Sequence, residues 1–267
     1  MPTTVVVGAS RGIGYQFIQT LAAEGNTVIA TARNVTDLEG KVKADKIPNT
    51  HVVQADLISA DSLKATANAT SSLANGQIDH LIINGAYLSS TGGMNPTDFT
   101  DKAELFLEEL KKSNEANIAG PLFAINAFLP LLRAGKEKRV TYISSGTAGV
   151  PETIETRIAN SVPYSTSKAG GNIVIAKFAA ELQDEGFTFL SIAPGGVATE
   201  TMMDASNFTN EERMQVMFSR MMQKYPEWKG PISPEESVKR ILNVVKNSKA
   251  EQSGQFLSYW GNITQWL

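Results

Sequence analysis

Short apolar, β-rich runs recur along the chain at Thr4–Val7, Thr27–Thr31, His51–Gln54, His80–Asn84, Val140–Ser144, Phe187–Ile192 and Gln255–Tyr259. Between them the apolar positions take a helical spacing, over Gly12–Glu24, Ala60–Leu73, Ala103–Arg133, Ser165–Asp184 and Pro234–Asn247. Strands separated by helix-length segments predict βαβ units, hence a parallel sheet with helices on both faces. Right-handed crossovers then give a doubly wound α/β fold of about seven strands, with its ligand cleft at their carboxyl ends. No internal repeat, low-complexity tract or linker rich in Pro, Gly or Ser interrupts the pattern, so residues 1–267 are read as a single domain.

Three connections are long for such a fold: Tyr87–Asp101, Gly146–Pro163 and Thr199–Pro231, each after a strand expected to end at the cleft. They predict the walls of a substrate pocket. In the third, Met214, Met217, Phe218, Met221 and Met222 share one helical face. Two roles fit that face. One is packing on the body of the protein or on a second subunit; the other is an adaptable methionine-lined lid, over about 199–231, above an apolar substrate.

Composition narrows the partners. Apolar residues make up 42% of the chain, enough for a core covered on both faces, and the formal net charge is −3. Nucleic-acid binders usually carry a basic face, so no nucleic-acid partner is expected. The one compact basic run, Lys136-Glu137-Lys138-Arg139, reads as a solvated loop before a strand. The absence of cysteine excludes disulfides, thiolate metal sites and a cysteine nucleophile, and fits a reducing compartment. His51 and His80, the only histidines, read as surface or strand-end positions, and no metal site is expected. The first strand begins almost at Met1, which predicts no leader peptide, and no apolar run reaches the roughly twenty residues that span a bilayer. A cytoplasmic protein with no membrane partner is the simplest expectation.

The strand Val5-Val6-Val7 runs straight into Gly8-Ala9-Ser10-Arg11-Gly12-Ile13-Gly14, and a helical pattern follows. A glycine-rich turn between strand and helix is built to hold a pyrophosphate, because unpartnered helix amides point at the anion and the helix dipole favours its charge. Gly8 supplies the turn dihedrals, Gly12 lets the backbone approach the phosphates, and Gly14 lets the helix lie close to the sheet; Ser10, Arg11 and Ile13 complete the loop. The second strand runs Val28-Ile29-Ala30-Thr31-Ala32-Arg33-Asn34, with no carboxylate at its end. A site selective for NAD places an acid there for the ribose 2'-hydroxyl, whereas an arginine accommodates a 2'-phosphate. Arg33 is so placed, Arg11 can reach the same group, and the guanidinium fork suits phosphate oxygens. NADP(H) is therefore the expected cofactor. Asp56-Leu57 fall where the adenine would rest, with the Asp56 carboxylate as acceptor for its exocyclic amine.

Tyr164-Ser165-Thr166-Ser167-Lys168 places a phenol and an ammonium four residues apart on one helix face. A free phenol, with a pKa near ~10, matches neutral pH poorly. A neighbouring cation favours the phenolate and lowers that value, as does the positive ring of an oxidised nicotinamide. Tyr164 can then give a proton to a carbonyl oxygen as hydride reaches the carbon, or take one from an alcohol in reverse. Ser145, at the end of the strand Val140–Ser144, is placed to donate a second hydrogen bond to that oxygen. Asn117, inside a long helical stretch, is expected to hold a water bonded towards Lys168.

With these clusters the chain resembles the short-chain dehydrogenase/reductase family over essentially its whole length, which implies a Rossmann fold. Gly8-x-x-x-Gly12-x-Gly14 is similar to that family's cofactor loop, and Asn117, Ser145, Tyr164 and Lys168 match its catalytic tetrad in order. Pro194-Gly195-Gly196-Val197-Ala198-Thr199 resembles its Pro-Gly motif. That likeness implies that Pro194 and Gly195 belong to the cofactor site, that the Val197 backbone meets the nicotinamide carboxamide, and that Thr199 meets the neighbouring phosphate or amide. The likeness is strongest to the carbonyl-reductase-like and C-factor-like branch, through Ile143-Ser144-Ser145-Gly146, Asn117-Ile118-Ala119-Gly120-Pro121-Leu122, and Ser253-Gly254-Gln255-Phe256-Leu257 with Trp266 behind.

Two departures stand out. The family's Asn-Asn-Ala-Gly is here Ile83-Asn84-Gly85-Ala86, which keeps Asn84 in the cofactor site and small residues beside the cofactor ribose; the lost first asparagine braces neighbouring strands in that family, which implies altered local packing and no loss of cofactor binding. Eighteen residues separate Ser145 from Tyr164, and the insertion Val150–Val162 is expected to wall the pocket; whether it also displaces Ser145 the sequence leaves open. Gly170-Gly171 lie inside the same helix, where each costs about 1 kcal/mol relative to alanine, which predicts a close contact there.

The expected activity is NADPH-dependent reduction of a carbonyl in an organic substrate of moderate size. An NADP-dependent alcohol dehydrogenase would use the same residues in reverse. A cofactor-binding protein reassigned to signalling or to a non-redox reaction would be expected to lack Tyr164 or Lys168. In the resembled family the helices that hold Asn117 and Tyr164 commonly pair with their copies in a second subunit. Leu122, Phe123, Ile125, Phe128 and Leu129 on the first, and Ile173, Val174, Ile175, Phe178 and Leu182 on the second, favour such a homodimer over a monomer whose 146–163 segment covers that face.

Overall fold

The first strand, β1 (Thr3–Val7), turns Val5 and Val7 to one face of the sheet and Val6 to the other, and all three are buried. Period-two alternation with both faces apolar requires cover on both sides, and the chain provides it. The computed structural model describes residues 1–200 and 211–267. It adds β2 (Thr27–Ala32), β3 (Thr50–Gln54), β4 (His80–Ile83), β5 (Arg139–Ile143), β6 (Thr188–Ala193) and β7 (Phe256–Ser258). All seven pair in parallel in the order β3-β2-β1-β4-β5-β6-β7. The winding reverses between β1 and β4, so connections diverge at their carboxyl ends and open the crevice in which such folds bind ligands.

On one face lie α3 (Ala60–Leu73), α4 (Ala103–Asn114), α5 (Gly120–Ala134) and α7 (Val162–Glu181), which bury Leu63, Ile125, Phe128, Ile175 and Phe178 against Val5, Leu81 and Val140. On the other lie α1 (Gly12–Ala23), α2 (Val35–Ala44) and α9 (Pro234–Asn247), with Phe17, Ile18, Leu38, Val238 and Ile241 packed on Val6, Val28 and Ile192. The insertion before α7 contains a short α6 (Val150–Thr156), which packs against α8 (Glu211–Lys224).

The expected strands and helices are found with ends shifted by at most three residues, and the helices Ala60–Leu73 and Pro234–Asn247 with none. Three features were not foreseen. Helix α2 is capped by Asn34, whose side chain accepts from the Asp37 amide at 3.3 Å, but Leu38 is its only buried residue, so its sequence has no apolar stripe to read. The expected helix over 103–133 is one continuous run broken into α4 and α5 by a π-turn at Glu115–Ala119. That run is long and apolar enough to pass for a membrane span by length and composition, contrary to the reading of the sequence. Its residues Ile125, Phe128 and Leu132 are instead buried within the molecule.

One placement fits the expectation and one corrects it. His51 is exposed, and His80 stands at a strand end, the start of β4, where it is buried with Nε2 2.9 Å from Thr141 Oγ1, and burial lowers its pKa to about 3. The apolar residues of α5 and α7 invoked for a dimer are largely core: Ile125, Phe128 and Ile175 are fully buried, while Leu122 and Ile173 are exposed.

Candidate active site

The loop after β1 is shaped by atoms that side chains would displace. Gly8 has φ +84, and a Cβ there would lie 2.5 Å from Gly85 Cα; one on Gly14 would lie 2.1 Å from the Gly8 carbonyl oxygen. Across the loop, a Cβ on Gly12 would lie 3.3 Å from Thr199 Cγ2, so the glycine loop and the Pro-Gly segment face one another. Asn84 Nδ2 donates to the Gly8 carbonyl at 2.8 Å and braces the turn from β4. Its amide thereby ties two strand ends together, a bracing of the kind the missing first asparagine was expected to leave undone. Helix α1 starts at Gly12 with Arg11 at its N-cap and no side chain capping it. Glycine cradle, uncapped helix start and facing Thr199 together fit a dinucleotide pyrophosphate.

Arg11 and Arg33 are both exposed beside this loop, Arg33 directly after β2. Lys41 of α2, which nothing in the sequence pattern marked, donates to the Ser10 carbonyl at 3.1 Å and adds a third cation near the loop. Asp56 Oδ1 accepts from the Ile58 amide at 3.2 Å, and Leu57 wedges between Gly85 and Gly120, where a Cβ would meet it at 3.1 Å and 2.6 Å. In the Pro-Gly segment, the Pro194 carbonyl accepts from Ser237 Oγ at 2.8 Å, Gly195 takes φ +85 against Tyr259, and Val197 bridges to Ile232.

Ser145, Tyr164 and Lys168 come together at the carboxyl edge of β5. Ser145 lies close enough to the Tyr164 hydroxyl to pull on its titration, and its Oγ is 2.9 Å from Thr147 Oγ1. Ser145 thus stays beside Tyr164 in spite of the insertion, whose α6 packs against α8. There Glu152 bonds the Tyr225 hydroxyl at 2.7 Å and pairs with Lys224. Lys168 is 1% exposed; its Nζ donates to the Ile143 carbonyl at 2.6 Å and stands 5.9 Å from the Tyr164 ring centroid. Burial dominates the titration of both groups. It raises Tyr164 to about 12, against the lowering pull of Ser145, and lowers Lys168 to about 7. The sequence led to the expectation that Lys168 would lower Tyr164; desolvation instead leaves Tyr164 raised.

Asn117 has partners that the sequence did not disclose. Nδ2 donates to the Tyr87 carbonyl at 3.0 Å and to Ser167 Oγ at 2.9 Å, and Oδ1 accepts from the Tyr87 amide at 3.0 Å. It fastens the segment after β4 to the helix that carries Tyr164 and Lys168. Tyr87 in turn donates to Glu109, which also receives Ser89 Oγ at 2.8 Å and the Ser90 amide at 2.9 Å. Ser167 lay in view between Tyr164 and Lys168, and a polar residue on the buried face of a helix was the available signal. Of the expected lid, residues 201–210 and the Met214 side chain lie outside the described residues. Met217, Phe218 and Met221 are half-buried, Met222 is exposed, and Phe218 stacks on Trp228 at 5.7 Å.

A parallel sheet with a glycine cradle at its switch point and a Ser-Tyr-Lys cluster beside it defines a dinucleotide-binding α/β oxidoreductase. The family model "short chain dehydrogenase" matches residues 2–210, and the chain belongs to that family. It is 35% identical over 272 residues to short-chain dehydrogenase/reductase AacuF of Aspergillus aculeatus, covering 100% of both chains. It is 34% identical over 275 residues to short chain dehydrogenase virK of Hypocrea virens, again covering 100% of both. Among solved structures, NADPH-bound carbonyl reductase from chicken fatty liver superposes with a TM-score of 0.78 at 24% identity, over 100% of this chain and 94% of that one. A 7α-hydroxysteroid dehydrogenase complexed with NADH gives 0.76 at 21%, over 100% and 96%. Those structural likenesses establish the fold; the family establishes NAD(P)-dependent oxidoreduction between CH–OH and C=O groups.

Proposed function

We propose that the protein is an NADPH-dependent carbonyl reductase acting on an organic substrate of moderate size. The observation that carries this reading is the Ser145–Tyr164–Lys168 cluster beside a phosphate loop flanked by arginines. When bound, the dihydronicotinamide supplies the hydride. Tyr164 transfers its hydroxyl proton to the substrate oxygen as the carbon is reduced, leaving a phenolate that solvent reprotonates. Ser145 donates a second hydrogen bond to the same oxygen. The Lys168 ammonium stabilises the phenolate, and Asn117 holds the helix in place by tying Ser167 to Tyr87. Preference for the 2'-phosphate rests on Arg33, Arg11 and the absence of an acid directly after β2; solved relatives of the fold bind either cofactor form.

The test is NADPH oxidation across a panel of aldehydes, ketones and quinones, followed by the matching alcohols with NADP. At least one carbonyl should consume NADPH and yield the alcohol. Tight NADPH binding without turnover on any member, in either direction, would favour a cofactor-binding protein without redox activity.

A further inference from the structure

Tyr142 is the largest fully buried side chain among the described residues, placed on β5 one residue before the carbonyl that Lys168 grips. A buried phenol needs a partner for its hydroxyl. Tyr142 Oη donates to the Asn117 carbonyl at 3.0 Å, inside the π-turn, where the break in the α-helical ladder frees a carbonyl for an outside donor. Gly171 makes the bond possible: a Cβ at that position would lie 2.5 Å from Tyr142 Oη and 2.6 Å from the Asn117 oxygen. The hydroxyl thus locks the ring in one place, and the Lys168 ammonium lies 4.5 Å from that ring's centroid.

We propose that Tyr142 is a positioning residue whose ring face holds the Lys168 ammonium in its buried site, with Gly171 and the Asn117 carbonyl fixing the ring. Among the described residues no carboxylate pairs with Lys168. Its polar surroundings are the Ile143 carbonyl and the Tyr142 ring from β5, and Tyr164 from its own helix. The turn after β5 brings Ser145 to Tyr164, and the π-turn brings Asn117 to Ser167; neither adds a titratable group. Tyr142 itself stays neutral, since burial holds its phenol well above the ordinary range. An aromatic face offers a desolvated cation the negative end of its quadrupole, which here opposes the burial that lowers Lys168. The inference concerns the charge of Lys168 in the protein alone; only its bearing on catalysis rests on the carbonyl-reductase reading.

The test therefore avoids turnover. Lysine labelled with carbon-13 at Cε is titrated by NMR in the cofactor-free protein, with Lys168→Met assigning the resonance. Tyr142→Phe keeps the ring face but frees the ring from the Asn117 carbonyl, and should lower the Lys168 midpoint only slightly. Tyr142→pentafluorophenylalanine keeps the shape but reverses the quadrupole, and should move the midpoint about one pH unit lower than Tyr142→Phe. If the fully fluorinated variant does not fold, mono- and difluorophenylalanine at position 142 should lower the midpoint in proportion to fluorine number. A midpoint that does not move with fluorination, or that falls as far in Tyr142→Phe, overturns the proposal. Failure of the NADPH panel would leave this result standing and strike only the carbonyl-reductase reading.

Discussion

Arg33 and Asn117 show how differently two residues read from sequence can fare. The place of Arg33 directly after β2, where no acid stands, was legible because register alone fixes it; its contact with a 2'-phosphate is part of the proposal. Asn117 was recognisable as a site residue, yet its partners were not, since they come from Tyr87 and Ser167, thirty and fifty positions away. Separation along the chain likewise hid Tyr142, whose purpose appears only when Gly171 and the π-turn are beside it. The Arg33 reading makes a direct prediction. A charge-assisted contact to phosphate is worth about 1.5–3 kcal/mol, so Arg33→Ala should weaken NADPH binding by roughly tenfold to a hundredfold. NADH affinity, measured in the same fluorescence titration, should stay within about twofold. Equal affinity of the wild type for both cofactors would contradict the assignment.

At the scale of elements, alternating strands and helices announced the sheet, because seven short β-rich runs cannot be covered except by the helices between them. What escaped was whatever lacks a periodic apolar face: α2, with a single buried residue, and the π-turn, whose altered register is a tertiary accommodation. Glycines separate the two kinds of information. Gly14 sits where a Cβ would meet the Gly8 carbonyl oxygen at 2.1 Å, whereas Gly40 inside α2 has nothing within 4 Å. Gly14→Ala should therefore destabilise the fold by about 1–3 kcal/mol and weaken cofactor binding. Gly40→Ala should stabilise by up to ~1 kcal/mol through helix propensity and leave binding unchanged. Urea unfolding of both variants, with cofactor titration alongside, checks the pair. Equal effects at the two sites would mean that the loop yields more readily than its geometry implies.

For the molecule as a whole, the order of the sheet places every proposed chemical group at one edge, around the reversal between β1 and β4 and the adjoining end of β5. Assembly is the less legible property. Sequence counted Ile125, Phe128 and Ile175 as surface, but apolar periodicity cannot say which neighbour buries a face, and here the core does. Leu107 at 61%, Leu122 at 39% and Ile173 at 62% exposure remain on α4, α5 and α7, and α6 packs against α8. A twofold dimer through these helices is the proposed closed assembly. Sedimentation at micromolar concentration should show twice the chain mass, and Ile173→Glu should halve it. A single species near 28.7 kDa in the wild type would contradict the dimer.

The central claim is that Tyr164 donates the proton in carbonyl reduction while the cofactor site stands independently of it. Tyr164→Phe removes one oxygen and leaves the ring, the glycine loop and Arg33 in place. With a carbonyl substrate from the panel, steady-state NADPH oxidation should fall by a factor of at least ~100, the usual worth of a positioned proton donor. The NADPH dissociation constant should change by less than about threefold. Turnover by Tyr164→Phe close to the wild-type rate would contradict the account.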